Sequence, residues 1–186
     1  MKTNLLLKTT FLLAAFVLTT VASIAQPVPE LVFNNPSLQS GTAGANGAAY
    51  RFPDVAPNVD AIITIADRSS SDVTITNIDL SNTGYANAFQ PQINYMNGNA
   101  PANSNWWMDF DFSFVVKGTS IPTVVTTFNL SALDVDGDGG SLNEFVQFSS
   151  PQSYVVENNT MLSVSNIMEL IFGLLSPVKK FVGPKT

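Results

Sequence analysis

The chain of 186 residues contains no cysteine and no histidine. The first absence excludes disulfide staples and thiol redox chemistry; the two together exclude Ser-His-Asp and Cys-His nucleophilic sites and histidine-ligated zinc. Cations are scarce as well: eight Lys and Arg stand against 14 Asp and Glu, for a net charge of −6. No basic stripe exists for phosphate backbones, so no nucleic acid is expected as a partner, and anionic membrane surfaces are disfavoured for the same reason. No apolar run reaches the roughly 20 residues needed to cross a bilayer, so no transmembrane span is expected.

What is present begins with an export signal. Lys2 and Lys8 bracket a basic start, Phe11 to Leu18 form a short apolar core, and Ser23-Ile24-Ala25 place small residues where a signal peptidase reads. Cleavage is expected before Gln26. Loss of residues 1–25 removes two lysines and no acids, leaving 161 residues with six cations against 14 acids, a net charge of −8. With no cysteine at the cut site, a lipoprotein anchor is excluded. The mature chain is read as secreted or on the outer surface, with the periplasm as the other destination. A chain of this length is about one domain and buries roughly two thirds of its unfolded surface without disulfides.

Residues 26–48 read as a flexible leader, because 34–48 are rich in Asn, Gly and Ser that supply no core. A domain over 49–165 follows. Short runs of alternating apolar and polar residues predict strands at Ala61 to Ala66, Asp72 to Leu80, Phe89 to Tyr95, Trp107 to Val116, Val124 to Asp134, Phe145 to Phe148 and Tyr154 to Val156. In the clearest, Phe110, Phe112 and Phe114 share one face, and Asp109, Asp111 and Ser113 the other. One face is core and one is wet, which predicts an all-β fold, an antiparallel β-sandwich of jelly-roll or immunoglobulin-like type, with a barrel second. Residues 166–186 form a C-terminal apolar segment and tail. Ser165 to Leu175 predicts a short C-terminal helix capped by Ser165 or Asn166 and stopped at Pro177.

Asp134-Val135-Asp136-Gly137-Asp138-Gly139 carries the strongest chemical signal. Three carboxylates at alternate positions, closed by glycines and without soft ligands nearby, match the first three ligand positions of a Ca²⁺ loop, with Gly139 at the sixth place. Glu144 falls at the eleventh place rather than the twelfth and no helical pattern flanks the loop, so this is no EF-hand. The competing reading is an acidic Asp-Gly turn. Mutual repulsion of three carboxylates within five residues favours a cation, and Asp134, Asp136, Asp138 and Glu144 are the candidate ligands. Trp106 and Trp107, near Tyr85, Phe89 and Tyr95 and Asn-rich loops, are candidate ligand-contacting aromatics for a sugar surface; the alternative places one of them in the core. Asp109 with Asp111, and Asp54 with Asp60, are carboxylate pairs, but glycoside hydrolysis needs two acids facing each other across a cleft, so no catalytic residue is assigned.

Tyr50-Arg51-Phe52, Val59-Asp60-Ala61, Phe89-Gln90-Pro91, the aromatic strand from Trp107, and Ala132 to Asp138 with Glu144-Phe145-Val146 together resemble exported β-ectodomains of flavobacterial type. In that group such a domain precedes further modules and a C-terminal sorting signal for the outer surface. The likeness covers roughly residues 45 to 165. It implies more strands and a sorting module after Gly183-Pro184, so this chain is expected to lack the C-terminal part of the pattern. The expected function is a non-enzymatic binding or adhesion module with a structural calcium site, whose partner is an extracellular protein or glycan. A carbohydrate-binding or carbohydrate-active domain and a structural spacer are the alternatives. Self-association through an open sheet edge is expected if closing strands are missing.

Overall fold

A computed structural model of the chain describes residues 28, 30–98, 100–131, 135, 143–156, 158–171 and 174–183. The expected signal peptide, residues 1–25, and Asp134, Asp136 and Asp138 lie outside the described residues. These residues divide into two compact units, one through Asn129 and one from Leu130. All strand pairing within them is antiparallel, and the one helical element among them is a 3-10 turn at Met96–Gly98. No helix among the described residues is long and apolar enough to cross a membrane.

The first unit holds β1 (Ser37–Ser40), β2 (Ala49–Ala56), β3 (Val59–Arg68), β4 (Val73–Asn77), β5 (Gln92–Tyr95) and β6 (Met108–Val116). One sheet runs β1-β2-β3-β6 and a second pairs β4 with β5. Period-two alternation decides the inner face. Register sets Tyr50 opposite Ile63, Phe52 opposite Ala61, Ile63 opposite Phe112 and Ile65 opposite Phe110, and directly opposed residues share a face. Phe52, Ala61, Ile63, Ile65 and Val73 are fully buried there, and Ile75, Ile93 and Tyr95 of the small sheet pack on the same cluster. Asp109, Asp111 and Ser113 are exposed, as the alternation predicts, but Phe112 on the core face is exposed as well and Val115 on the other face is buried.

A plug from outside the strands completes this core. Phe89 sits edge-to-face with Phe110 at 5.2 Å, Phe112 at 5.4 Å and Phe52 at 5.8 Å. Such pairs each contribute about 0.5–1.5 kcal/mol beyond their buried area. The supposed leader takes part as well. Leu31 and Phe33 are buried, Val32 N–H donates to the Val55 carbonyl, and Phe33 N–H to that of Asn87. Its Asn-Gly-rich stretch is a bonded loop: Gly44 N–H donates to the Tyr50 hydroxyl, and Gly41, whose φ is +81°, packs against the Ala48 backbone where a Cβ would clash. Two hydrophobes among small polar residues are enough to fix that segment onto the sheet.

The second unit holds β7 (Phe145–Ser149), β8 (Ser163–Ile171) and β9 (Leu174–Val182) in the order β7-β9-β8. The predicted C-terminal helix is therefore corrected to a β-hairpin. Ile167, Met168, Leu170, Ile171, Leu174 and Leu175 have helical spacing, but β8 and β9 pair without a shift from Ser163 opposite Val182 to Ile171 opposite Leu174. Only Phe172-Gly173 separates the two strands in sequence, a spacing typical of hairpins. Pro177 stands inside β9. Its carbonyl accepts from Ser150 N–H, so its missing donor points to the β7 side, where β7 ends, and the β8–β9 ladder loses no bond. Two predicted strands are also corrected. Residues 124–131 pair with nothing beyond a bridge from Pro122 to Val115, leaving Val124 exposed, and Tyr154 lays its ring on Phe181 at 5.6 Å without joining a ladder.

Candidate functional site

Three arrangements in the first unit bring polar or aromatic side chains together. The β2–β3 hairpin turns on Pro57-Asn58, with Asn58 at φ +61°, the positive value that the second central position of a type II turn requires. Just before the turn β2 bulges: Pro53, Asp54 and Val55 oppose the single residue Asp60. Asp54, at φ +55°, would leave its amide unpaired there, and that N–H donates to Asp60 Oδ1 at 2.9 Å. Asp60 Oδ2 accepts from Arg51 Nη1 at 2.7 Å and from Gly118 N–H at 2.9 Å, while Arg51 Nη2 donates to the Thr119 carbonyl. Burial pushes the Asp60 carboxyl up, but the Gly118 and Asp54 N–H donors and the Arg51 guanidinium outweigh it and hold the group below its usual range. Asp60 is thus an ionised knot that ties bulge, hairpin and the turn after β6. The Asp54 carboxylate meets Lys117 Nζ at 2.6 Å.

Asp79 anchors the loop that carries Phe89. Its Oδ1 accepts from Gln90 N–H at 3.0 Å, and the Gln90 side chain donates to the Leu80 and Tyr85 carbonyls and bonds to the Thr83 hydroxyl. The loop is clamped at its base, which holds the Phe89 ring in the core. Burial raises the Asp79 carboxyl above its ordinary value, against the lowering effect of the Gln90 donor.

The tryptophans do not stand as a pair of free plates. Trp106 is half-buried, edge-to-face with Tyr95 at 6.1 Å and packed on the core, and Trp107 is half-buried with its backbone bonded both ways to Ser69. On the exposed face of β6, Asp109 lies opposite Asp67 and Asp111 opposite Thr64. Asp67 accepts from Asn46, whose carbonyl oxygen in turn accepts from Arg68. This is an open, wet sheet face. No group of three or more Asp or Glu converges among the described residues.

In the second unit, Glu144 is exposed and adjoins β7, and its carbonyl accepts from Gly183 N–H at 3.0 Å. The residue before it was missed in the sequence. Asn143 Oδ1 is buried and meets no hydrogen-bond donor, the one such side-chain atom among the described residues. A hollow of about 190 Å³ near Pro151, Asn166, Met168 and Pro177 is smaller than the roughly 300 Å³ at which small-molecule sites begin. Comparison of the chain with protein-family models, with curated proteins and with solved structures finds no match.

Proposed function

We propose that this chain is an exported, non-enzymatic binding or adhesion module: a first unit of β-sandwich type and a second, smaller β-unit whose entry loop holds a structural Ca²⁺ through Asp134, Asp136, Asp138 and Glu144. The observation that carries the calcium reading is Asn143 Oδ1. A buried carbonyl oxygen without a donor costs about 1–3 kcal/mol, and an amide carbonyl is a hard ligand that Ca²⁺ accepts. It stands next to Glu144 at the end of the acidic run, so a cation there would offset both the orphaned oxygen and the carboxylate repulsion. The non-enzymatic reading is supported by the use of Asp60 and Asp79, the buried acids of the first unit, in holding a hairpin and a loop.

Calorimetric titration of the calcium-free protein tests the cation. One Ca²⁺ should bind with a Kd on the order of 0.1 mM, the range of extracellular modules, and Mg²⁺ more weakly because its octahedral shell dehydrates reluctantly. Asp136→Asn should weaken binding at least tenfold. Asn143→Leu should weaken binding while leaving the calcium-free protein as stable or more so. A loss of stability in EDTA would mean that the Asn143 oxygen serves the fold itself, and no heat of binding would remove the site.

A further inference from the structure

Strand polarity in the second unit can be read residue by residue. Ser150 N–H donates to the Pro177 carbonyl and Gly183 N–H to that of Glu144, so the odd-numbered residues of β9 direct their backbone groups at β7. The even-numbered ones, Ser176 to Val182, then bond to Glu169, Ile167, Ser165 and Ser163 of β8. Val164, Asn166, Met168 and Leu170 are left with N–H and C=O groups directed away from β9, along an edge that pairs with no other strand among the described residues.

The other edge strands are short, shifted or partly strapped, and this one is not. β1 has four residues and a shifted register, and β4 has five and a shift. The outer groups of Phe114 and Val116 are taken by Thr123 N–H and the Ile121 carbonyl, and β7 ends after five residues at Ser150, with φ +48°, and Pro151. β8 runs nine residues with no shift, no proline, no lysine or arginine and one acid, Glu169, and Asn166 and Met168 are exposed. Short length, bulges, proline and charge are the devices that keep edges apart, and β8 lacks them.

We propose that β8 is a dimerisation strand that pairs antiparallel with β8 of a second copy, in the register centred on Ile167. That register sets Asn166 against Met168 and Val164 against Leu170, and gives about eight backbone hydrogen bonds from four bonded pairs. It opposes the single charge of the strand, Glu169, with neutral Ser165, so no like charges meet. Two three-stranded sheets become one of six, and the two-fold pairing consumes the open edge in both copies, so assembly stops at the dimer. This surface goes beyond the calcium site and does not depend on it.

Sedimentation of the exported chain, in EDTA and in Ca²⁺, should give a dimer in both. Because the chain has no cysteine, single-cysteine variants report the register without background. Ile167→Cys faces its own copy across a non-hydrogen-bonded position, with Cβ atoms about 4.5–5.5 Å apart, and should form an interchain disulfide on oxidation. Ser163→Cys would stand about 27 Å from its copy and should not. Asn166→Lys with Met168→Lys, both at exposed sites, should weaken dimerisation at least tenfold by opposing lysines. A wild-type monomer at 100 micromolar order, or a dimer that cross-links at Ser163→Cys as readily as at Ile167→Cys, would overturn the proposal; so would a dimer indifferent to the two lysines.

Discussion

The two units solve the same antiparallel problem with different means. The first closes eleven buried hydrophobes into one cluster, plugs it with Phe89 and blunts its sheet edges by bulge, shortness or a strap over the end of β6. The second keeps an oxygen without a donor at Asn143 and holds β8 at an edge that pairs with no other strand among the described residues. The groups left unmet in the second unit are those that the proposed cation and partner strand would satisfy. We therefore propose the second unit as the place of binding and the first as its scaffold.

The contrast breaks most readily at Phe52. Phe52→Ala should cost the first unit about 3–5 kcal/mol in denaturant unfolding followed by tryptophan fluorescence. Both tryptophans of the chain lie in that unit, so the signal reports it alone. Phe181→Ala should leave the same transition within about 0.5 kcal/mol, and a larger change would show that the units are not separate. Next in size is the Asp60 knot. Asp60→Ala should cost about 3 kcal/mol at pH 7, because it strips Arg51 of its carboxylate and the Asp54 and Gly118 N–H groups of their acceptor. Since the folded Asp60 carboxyl lies below its ordinary 3.8, this stability is present above that value and is lost as pH falls through the folded one. The difference between wild type and variant should therefore shrink in acid below pH 3.8.

The smallest effect has the opposite sign. Asp79 is raised by burial, so ionising it costs the folded state at neutral pH, and that cost disappears once pH falls below the ordinary value of 3.8. Asp79→Asn keeps an acceptor for Gln90 N–H and should raise the melting temperature at pH 7 but not at pH 3. Equal melting at both would show that burial of Asp79 carries no penalty.

The legible parts were those written in local periodicity. The Phe110, Phe112, Phe114 alternation gave β6 and its wet face because a period of two is a property of one strand. The Arg51–Asp60 pair was illegible because a bulge after Phe52 resets the hairpin register, and nothing local marks it. Asn46 and Gly44 looked structureless because their partner, Arg68, lies more than twenty residues away. Ile167 to Leu175 satisfied helical and strand patterns alike, because a short apolar run carries either period. The acidic run was plain in the sequence, whereas Asn143 acquires meaning only through burial.

Calorimetric melting in EDTA and in about 2 mM Ca²⁺, at fixed protein concentration and with tryptophan fluorescence marking the first unit, tests the division most directly. With a Kd of about 0.1 mM the cation contributes about 1.8 kcal/mol, roughly 7–14 °C for a unit of about 60 residues. The account predicts that shift in the second unit's transition and none in the first. Equal midpoints in the two conditions, or a shift confined to the tryptophan-reported transition, would contradict it.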